Sequence, residues 1–142
     1  MQKNYEILIQ EHATAEQEEV LLEGIIEAAK TAKGMSRIQP FCLMIKDGLN
    51  GIVAGAKGAS IYGCLYIDLL WVRPELRRLK LGSKLMLAAE ELALERKCTF
   101  MTVSTMDWEA LPFYQKFGYE IEFVREGFEK DSKMFFLRKN LK

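Results

Sequence analysis

The 142-residue chain contains one histidine, His12. It stands just ahead of a helix start, far in sequence from any serine or cysteine that could act as nucleophile. A Ser-His-Asp or Cys-His device therefore has nothing to build on. Cysteine is nearly as scarce. Cys42, Cys64 and Cys98 are odd in number, scattered, and set in or beside apolar runs, a pattern that fits buried free thiols in a reducing cytoplasm. A zinc site built on His and Cys lacks both ligand number and spacing, so no metal is expected. No apolar run approaches a membrane span, and Met1-Gln2-Lys3-Asn4 has no signal-peptide pattern, so no membrane partner and a cytoplasmic location are expected. Neither G-x-x-x-x-G-K-[ST] nor G-x-G-x-x-G occurs, and there are no repeats or low-complexity tracts. Net charge is absent too: 20 basic residues balance 20 acidic ones, which argues against a broad nucleic-acid-binding face.

What remains is a chain of ordinary charge content in which nearly half the residues are apolar. It is long enough to bury a real core as a single domain spanning residues 1–142. Tyr5–Gln10 reads as a first strand. Thr14 and Gln17 resemble a capping box, and the helix behind them places Leu22, Ile25, Ile26 and Ala29 on one buried stripe. Phe41–Ile45 and Ile52–Gly55 read as strands around the turn-rich Asp47–Gly51. A flexible loop is expected after Gly55, where glycines continue through Gly58 and Gly63. Thr99–Ser104 gives a strand, Asp107–Phe117 a short helix ended by Gly118, and Tyr119–Val124 and Met134–Leu137 a last strand pair around the polar stretch Arg125–Lys133. The order is β-α-β-β-β-α-β-α-β-β, a mixed sheet flanked by helices.

The most informative segment lies between the third and fourth of these blocks. Leu65–Val72 is strand-like and passes through Arg73-Pro74-Glu75-Leu76 into Arg77-Arg78-Leu79-Lys80-Leu81-Gly82-Ser83. A helical pattern with an apolar face at Leu85, Ala88, Ala89 and Leu92 follows. Residues 73–84 hold five basic side chains against one acid. Free N–H groups at a helix start beside such charge suit an anionic ligand, a polyphosphate above all. A solvated cationic turn capping a surface helix is the plainer reading of the same residues.

The segment Val72-Arg73-Pro74-Glu75-Leu76-Arg77-Arg78-Leu79-Lys80-Leu81-Gly82 resembles the acyl-CoA signature of the GNAT superfamily of acetyl-CoA-dependent N-acetyltransferases, a strand followed by V-x-P-x-x-[RQ]-x-x-G-x-[GA] and a helix. Asp107-Trp108-Glu109-Ala110-Leu111-Pro112-Phe113-Tyr114-Gln115-Lys116-Phe117-Gly118-Tyr119 is similar to a second element of that family, roughly N-x-x-A-x-x-[FL]-Y-x-K-x-G-[FY]. Together the two cover roughly residues 40–122. The resemblance implies an α/β (α+β) GNAT-like fold with a mixed, mostly antiparallel central sheet of six to seven strands flanked by helices. It also implies transfer of an acetyl group from acetyl-CoA to a primary amine, small-molecule or peptide, by direct attack in a ternary complex.

The resemblance also implies roles for individual residues. The fourth predicted strand, around Leu70, Trp71 and Val72, would offer free backbone groups to the pantetheine arm, much as a strand edge accepts a peptide. Arg77, Arg78, Leu79, Lys80, Leu81, Gly82 and Ser83 would hold the pyrophosphate through N–H groups and charge. Tyr114 would protonate the departing thiolate, the plainer alternative being a core residue like its neighbours Phe113, Phe117 and Tyr119. From the residues alone, Asp68 is a carboxylate inside an otherwise apolar strand and reads as a base if partly desolvated, as a partner for the substrate ammonium, or as a side chain hydrogen-bonded at a bulge with no part in chemistry. A strand N–H near Leu70 would stabilise the oxyanion. Two positions depart from the family pattern: Lys80 replaces the first glycine of the loop, and Asp107 replaces an asparagine and is expected to act as an N-cap. A homodimer is compatible with the family. An acyl-CoA-binding regulatory module without turnover, motivated by Lys80, is the alternative, and a partner-binding domain that uses no CoA is a third reading.

Overall fold

The structure, a computed structural model, describes residues 4–141. These form two compact units, one up to Arg37 and one from Ile38 onward. Among the described residues no helix is long and apolar enough to cross a membrane.

In the first unit the capping box forms as its residue types dictate. The Gln17 N–H donates to Thr14 Oγ1 (3.1 Å) and the Thr14 N–H donates to Gln17 Oε1 (2.9 Å), so two orphan donors are satisfied at the start of α1, Ala15–Lys33. Gly34, at φ 65°, takes the left-handed conformation that ends the helix. Ile26 is buried, but Ile25 on the expected stripe is mostly exposed. The strand expected at Tyr5–Gln10 does not form. Apolar alternation shows that a face wants cover; it does not supply a neighbouring strand to pair with.

The second unit is a six-stranded sheet in the order β1-β2-β3-β4-β6-β5. Its strands are β1 (Gln39–Lys46), β2 (Ile52–Ile61), β3 (Cys64–Val72), β4 (Phe100–Met106), β5 (Glu120–Phe128) and β6 (Ser132–Asn140). All neighbours pair antiparallel except β3 and β4, which run parallel. Helices α2 (Leu81–Glu95) and α3 (Leu111–Lys116) pack on one face. There Leu65, Ile67, Met101, Val103 and Leu137 from the strands meet Met86, Ala89 and Ala93 of α2 and Tyr114 of α3. Glu90 of α2 and Lys139 of β6, both largely shielded from water, form an ion pair beside this core.

Several boundaries differ from expectation. No loop follows Gly55, because β2 continues to Ile61 and both Gly55 and Gly58 pair with neighbouring strands. Most of Arg125–Lys133 is strand as well, turning only at Glu129–Asp131, where Lys130 and Asp131 take left-handed φ values of 57° and 56°. The short helix begins at Leu111 instead of Asp107. Asp107 does not cap it; its N–H donates to the Lys133 carbonyl (3.0 Å) and its Oδ2 accepts from the Lys133 N–H (3.2 Å), so it pins the end of β4 to β6. The start of α3 is held by Thr105, whose buried Oγ1 accepts from the Ala110 N–H at 3.1 Å. Of the three thiols, all free, Cys98 is buried, Cys64 half-buried and Cys42 exposed, since Cys42 lies on the outward-facing parity of edge strand β1.

Candidate active site

The parallel pair β3–β4 is short. Cys64–Ile67 is in register with Phe100–Val103, yet β3 runs on to Val72 and β4 to Met106 without further pairing between them. Beyond Ile67 the β4-facing edge of β3 has no strand partner. The cause is visible in the β2–β3 register, where Lys57 faces Leu69 but Gly58 faces Ile67. Asp68 is therefore the extra residue of a β-bulge, and a bulge bends its strand. It also switches sides: Leu65 and Ile67 face the core before it, while Leu70 and Val72 do so after it.

This bulge explains the carboxylate in an apolar strand. Asp68 is exposed and sits at the bend, with the Tyr66 hydroxyl 3.5 Å from its Oδ1, at the long limit of a hydrogen bond. It is not desolvated as the sequence reading required. Partial burial, and then the neighbouring Asp68 charge, pushes the Tyr66 phenol above its usual range.

Past Val72 the chain enters a 3₁₀ turn, Pro74–Leu79, with proline at its first position as the missing N–H allows. The Arg77 Nε donates to the Val72 carbonyl at 3.0 Å, tying the turn to the strand end. Arg77, Arg78, Lys80 and Lys84 all reach solvent. Among the described residues none of these, nor Arg73, joins an ion pair. Lys80 adopts φ 60°, ψ 28°, the left-handed region where glycine is at ease, and from it α2 begins. The first N–H to close back is Lys84, onto the Lys80 carbonyl (3.1 Å), so those of Leu81, Gly82 and Ser83 lack such partners. The structure thus brings together the edge of Leu70–Val72, the basic side chains and these free donors along one continuous path.

Gly82 lies against α3: a Cβ there would come 3.3 Å from the tip of the Phe113 ring. The contact was not legible in sequence, although the [GA] position of the signature marks where a small residue is required. Next to Phe113, Tyr114 is 4% exposed, with its ring edge-on to those of Phe113 and Tyr119 at 5.4 and 5.9 Å. Burial, and secondarily Glu109, pushes its pKa up to about 12. No fully buried side-chain oxygen or nitrogen among the described residues lacks a hydrogen-bond partner. The Tyr114 hydroxyl has no protein partner there, so it reaches the surface of the core.

Residues 2–119 match the Acetyltransferase (GNAT) family. The chain belongs to the GNAT acetyltransferases. It is 29% identical to an acetyltransferase of Agrobacterium fabrum over 107 residues, 75% of this chain and 78% of that protein. To the blasticidin-S acetyltransferase of Streptomyces morookaense it is 38% identical over 71 residues, 49% of this chain and 52% of that one. Among solved structures, an Agrobacterium tumefaciens protein assigned as an acetyltransferase superposes with a TM-score of 0.80 at 24% identity, covering 96% of this chain and all of that one. A Bacillus anthracis protein assigned as a streptothricin acetyltransferase, crystallised with acetyl-CoA, gives 0.59 at 20% identity over 65% of this chain and 57% of its own. These last two likenesses are of fold. The mixed, mostly antiparallel sheet is that of the GNAT fold, and the chain is an acyltransferase.

Proposed function

We propose that this GNAT chain transfers the acetyl group of acetyl-CoA to the nitrogen of a primary amine, with both substrates bound at once. The observation that carries the reading is the free edge of β3 beyond the Asp68 bulge, leading directly into unpaired Arg78, Lys80 and the N-terminus of α2. The acetyl-CoA residues present fit their ligand. Backbone groups near Leu70, Trp71 and Val72 suit the amides of the pantetheine arm. The N–H groups of Leu81, Gly82 and Ser83 suit the pyrophosphate, with Arg77, Arg78 and Lys80 supplying charge and Leu79 closing the turn.

In this mechanism the amine nitrogen attacks the thioester carbonyl carbon, giving a tetrahedral oxyanion held by a β3 N–H beside the bulge, near Leu70. The C–S bond then breaks and the thiolate leaves. The amine surrenders its proton to water, and the exposed Asp68, which lacks the desolvation a base role needs, acts electrostatically towards a cationic acceptor. The raised pKa of Tyr114 modifies its part. A phenol at about 12 keeps its proton at every physiological pH, but full transfer to a thiolate, whose conjugate thiol titrates near ~8.5, runs uphill. Tyr114 therefore donates a hydrogen bond to the departing sulfur, which takes its final proton from solvent or from the acceptor.

For the acceptor, the relative named for blasticidin S favours a small-molecule amine over a peptide. The test is release of free thiol from acetyl-CoA across a panel of amines, with Tyr114→Phe and Arg78→Glu beside the parent. Amine-dependent release that falls in the first variant through kcat and in the second through the KM for acetyl-CoA is expected. Tight CoA binding with no release on any amine, and indifference to Tyr114→Phe, would favour the non-catalytic acyl-CoA-binding module that Lys80 motivates.

A further inference from the structure

We propose that Glu109 positions Tyr114 for acyl transfer by clasping the end of β4 with its carboxylate, a role that rests on the reading of Tyr114 above as hydrogen-bond donor to the departing sulfur.

The helix that carries Tyr114 cannot place itself. α3 is six residues long, Leu111–Lys116, and Ala110 ahead of it offers no side-chain cap. An isolated helix shorter than ~12 residues is marginal in water, so the aim of Tyr114 is imposed by what α3 is fastened to. Two fastenings reach back to β4. One is the buried Thr105 hydroxyl oxygen, which accepts from the Ala110 N–H. The other is Glu109. Its Oε1 accepts from the Met106 N–H at 2.8 Å, while its own N–H donates to the Met106 carbonyl at 3.1 Å. These two bonds close the turn Met106–Glu109 at both groups of one strand residue.

The clasp also lies on the side where the chemistry is assigned. The Asp107 N–H donates to Lys133 of β6. Successive N–H groups along a strand point to opposite sides, so that of Met106 points away from β6 and toward β3. Ile67 and Val103 are the last partners of β3 and β4, and Leu70 and Met106 each stand three residues further on. The Glu109 carboxylate is therefore about level with Leu70, the residue beside the oxyanion, on the side of β4 that faces it. Its charge reaches Tyr114 as well, adding to burial in raising the phenol's pKa.

Thiol release from acetyl-CoA by the full chain tests this, with Glu109→Ala, Glu109→Gln and Tyr114→Phe beside the parent. Hydrogen exchange at the Met106 amide reads the clasp without turnover. Glutamine keeps an oxygen for the Met106 N–H, and alanine does not. Glu109→Ala is expected to lower kcat per folded molecule about tenfold and to leave the KM for acetyl-CoA within about twofold. Exchange at Met106 should quicken by about tenfold or more in the same variant. Glu109→Gln should restore most of the lost kcat and the slow exchange. A role in stability alone would lower the melting temperature and leave kcat per folded molecule at the parent's value, which overturns the proposal. A glutamine variant no better than alanine overturns it too, as does a Met106 amide that exchanges alike in all three. A kcat indifferent to Tyr114→Phe sinks the reading of Tyr114 itself, and the role of Glu109 goes with it.

Discussion

Gly58 and Tyr66 stand so close across β2 and β3 that a Cβ on Gly58 would lie 1.9 Å from the Tyr66 carbonyl oxygen. Backbone atoms cannot give way as a flexible side chain can. Gly58→Ala is therefore expected to separate the two strands at the Asp68 bulge and cost about 1–3 kcal/mol, the range of overpacked interiors. Denaturant unfolding measures that loss. Because the bulge also opens the sheet toward β4, thiol release should fall further than the loss of folded protein accounts for.

Lys80 in the left-handed region is held against its preference. Relief of about 1–2 kcal/mol of steric cost in Lys80→Gly is partly offset by the roughly 0.5–1 kcal/mol of extra chain entropy that glycine loses on folding. A net gain of up to about 1.5 kcal/mol is expected, seen as a higher midpoint in urea with an unchanged slope. The same variant loses a charge from the turn, so the KM for acetyl-CoA should become less sensitive to salt.

Tyr114→Phe is expected to lower kcat by about 10²-fold or more while leaving the KM for acetyl-CoA within a few-fold. The variant also reports on alkaline stability. An unfolded tyrosine titrates near ~10 and the folded one at about 12, so in that window the native state holds the proton and the unfolded state has shed it. Stability is therefore full below about pH 10 and falls as pH rises toward 12, by on the order of 2–3 kcal/mol. Tyr119, also raised by burial, adds in the same direction. Unfolding followed from pH 9 to 12 should be shallower in Tyr114→Phe than in the parent.

Asp107 separates anchoring from ligand contact. Asp107→Asn keeps an oxygen for the Lys133 N–H and should be close to neutral. Asp107→Ala removes the acceptor and should cost about 1 kcal/mol. Neither is expected to change the KM for acetyl-CoA, and a several-fold rise in both would move this residue into the ligand's path.

The basic turn between β3 and α2 was legible because its signals are local: a strand, a proline, five bases and a helix start follow one another within 20 residues, and each acts on its neighbours. Tyr114 was singled out by motif, and its burial among Phe113 and Tyr119 was readable as the plainer alternative because those aromatics are close neighbours in the chain. A bulge at Asp68 was one of the readings the sequence left open, but its place could not be fixed from sequence. It exists only as a mismatch in register between β2 and β3, and a period-2 reading of one strand alone keeps side chains alternating straight through it. The run Tyr5–Gln10 misled in the opposite sense, since its alternation is real but its partner strand is absent from the described fold. Asp107 was misread because a carboxylate near a helix start suits a cap, whereas here the backbone of Lys133 claimed it first.

The meeting of Gly82 with the Phe113 ring gives the fold a mechanical property. The first turn of α2 packs on the ring that precedes Tyr114, and a methyl group between them fits only if that ring gives by a few tenths of an ångström. A larger residue at position 82 would have to displace that ring, and with it the start of the short helix that carries Tyr114.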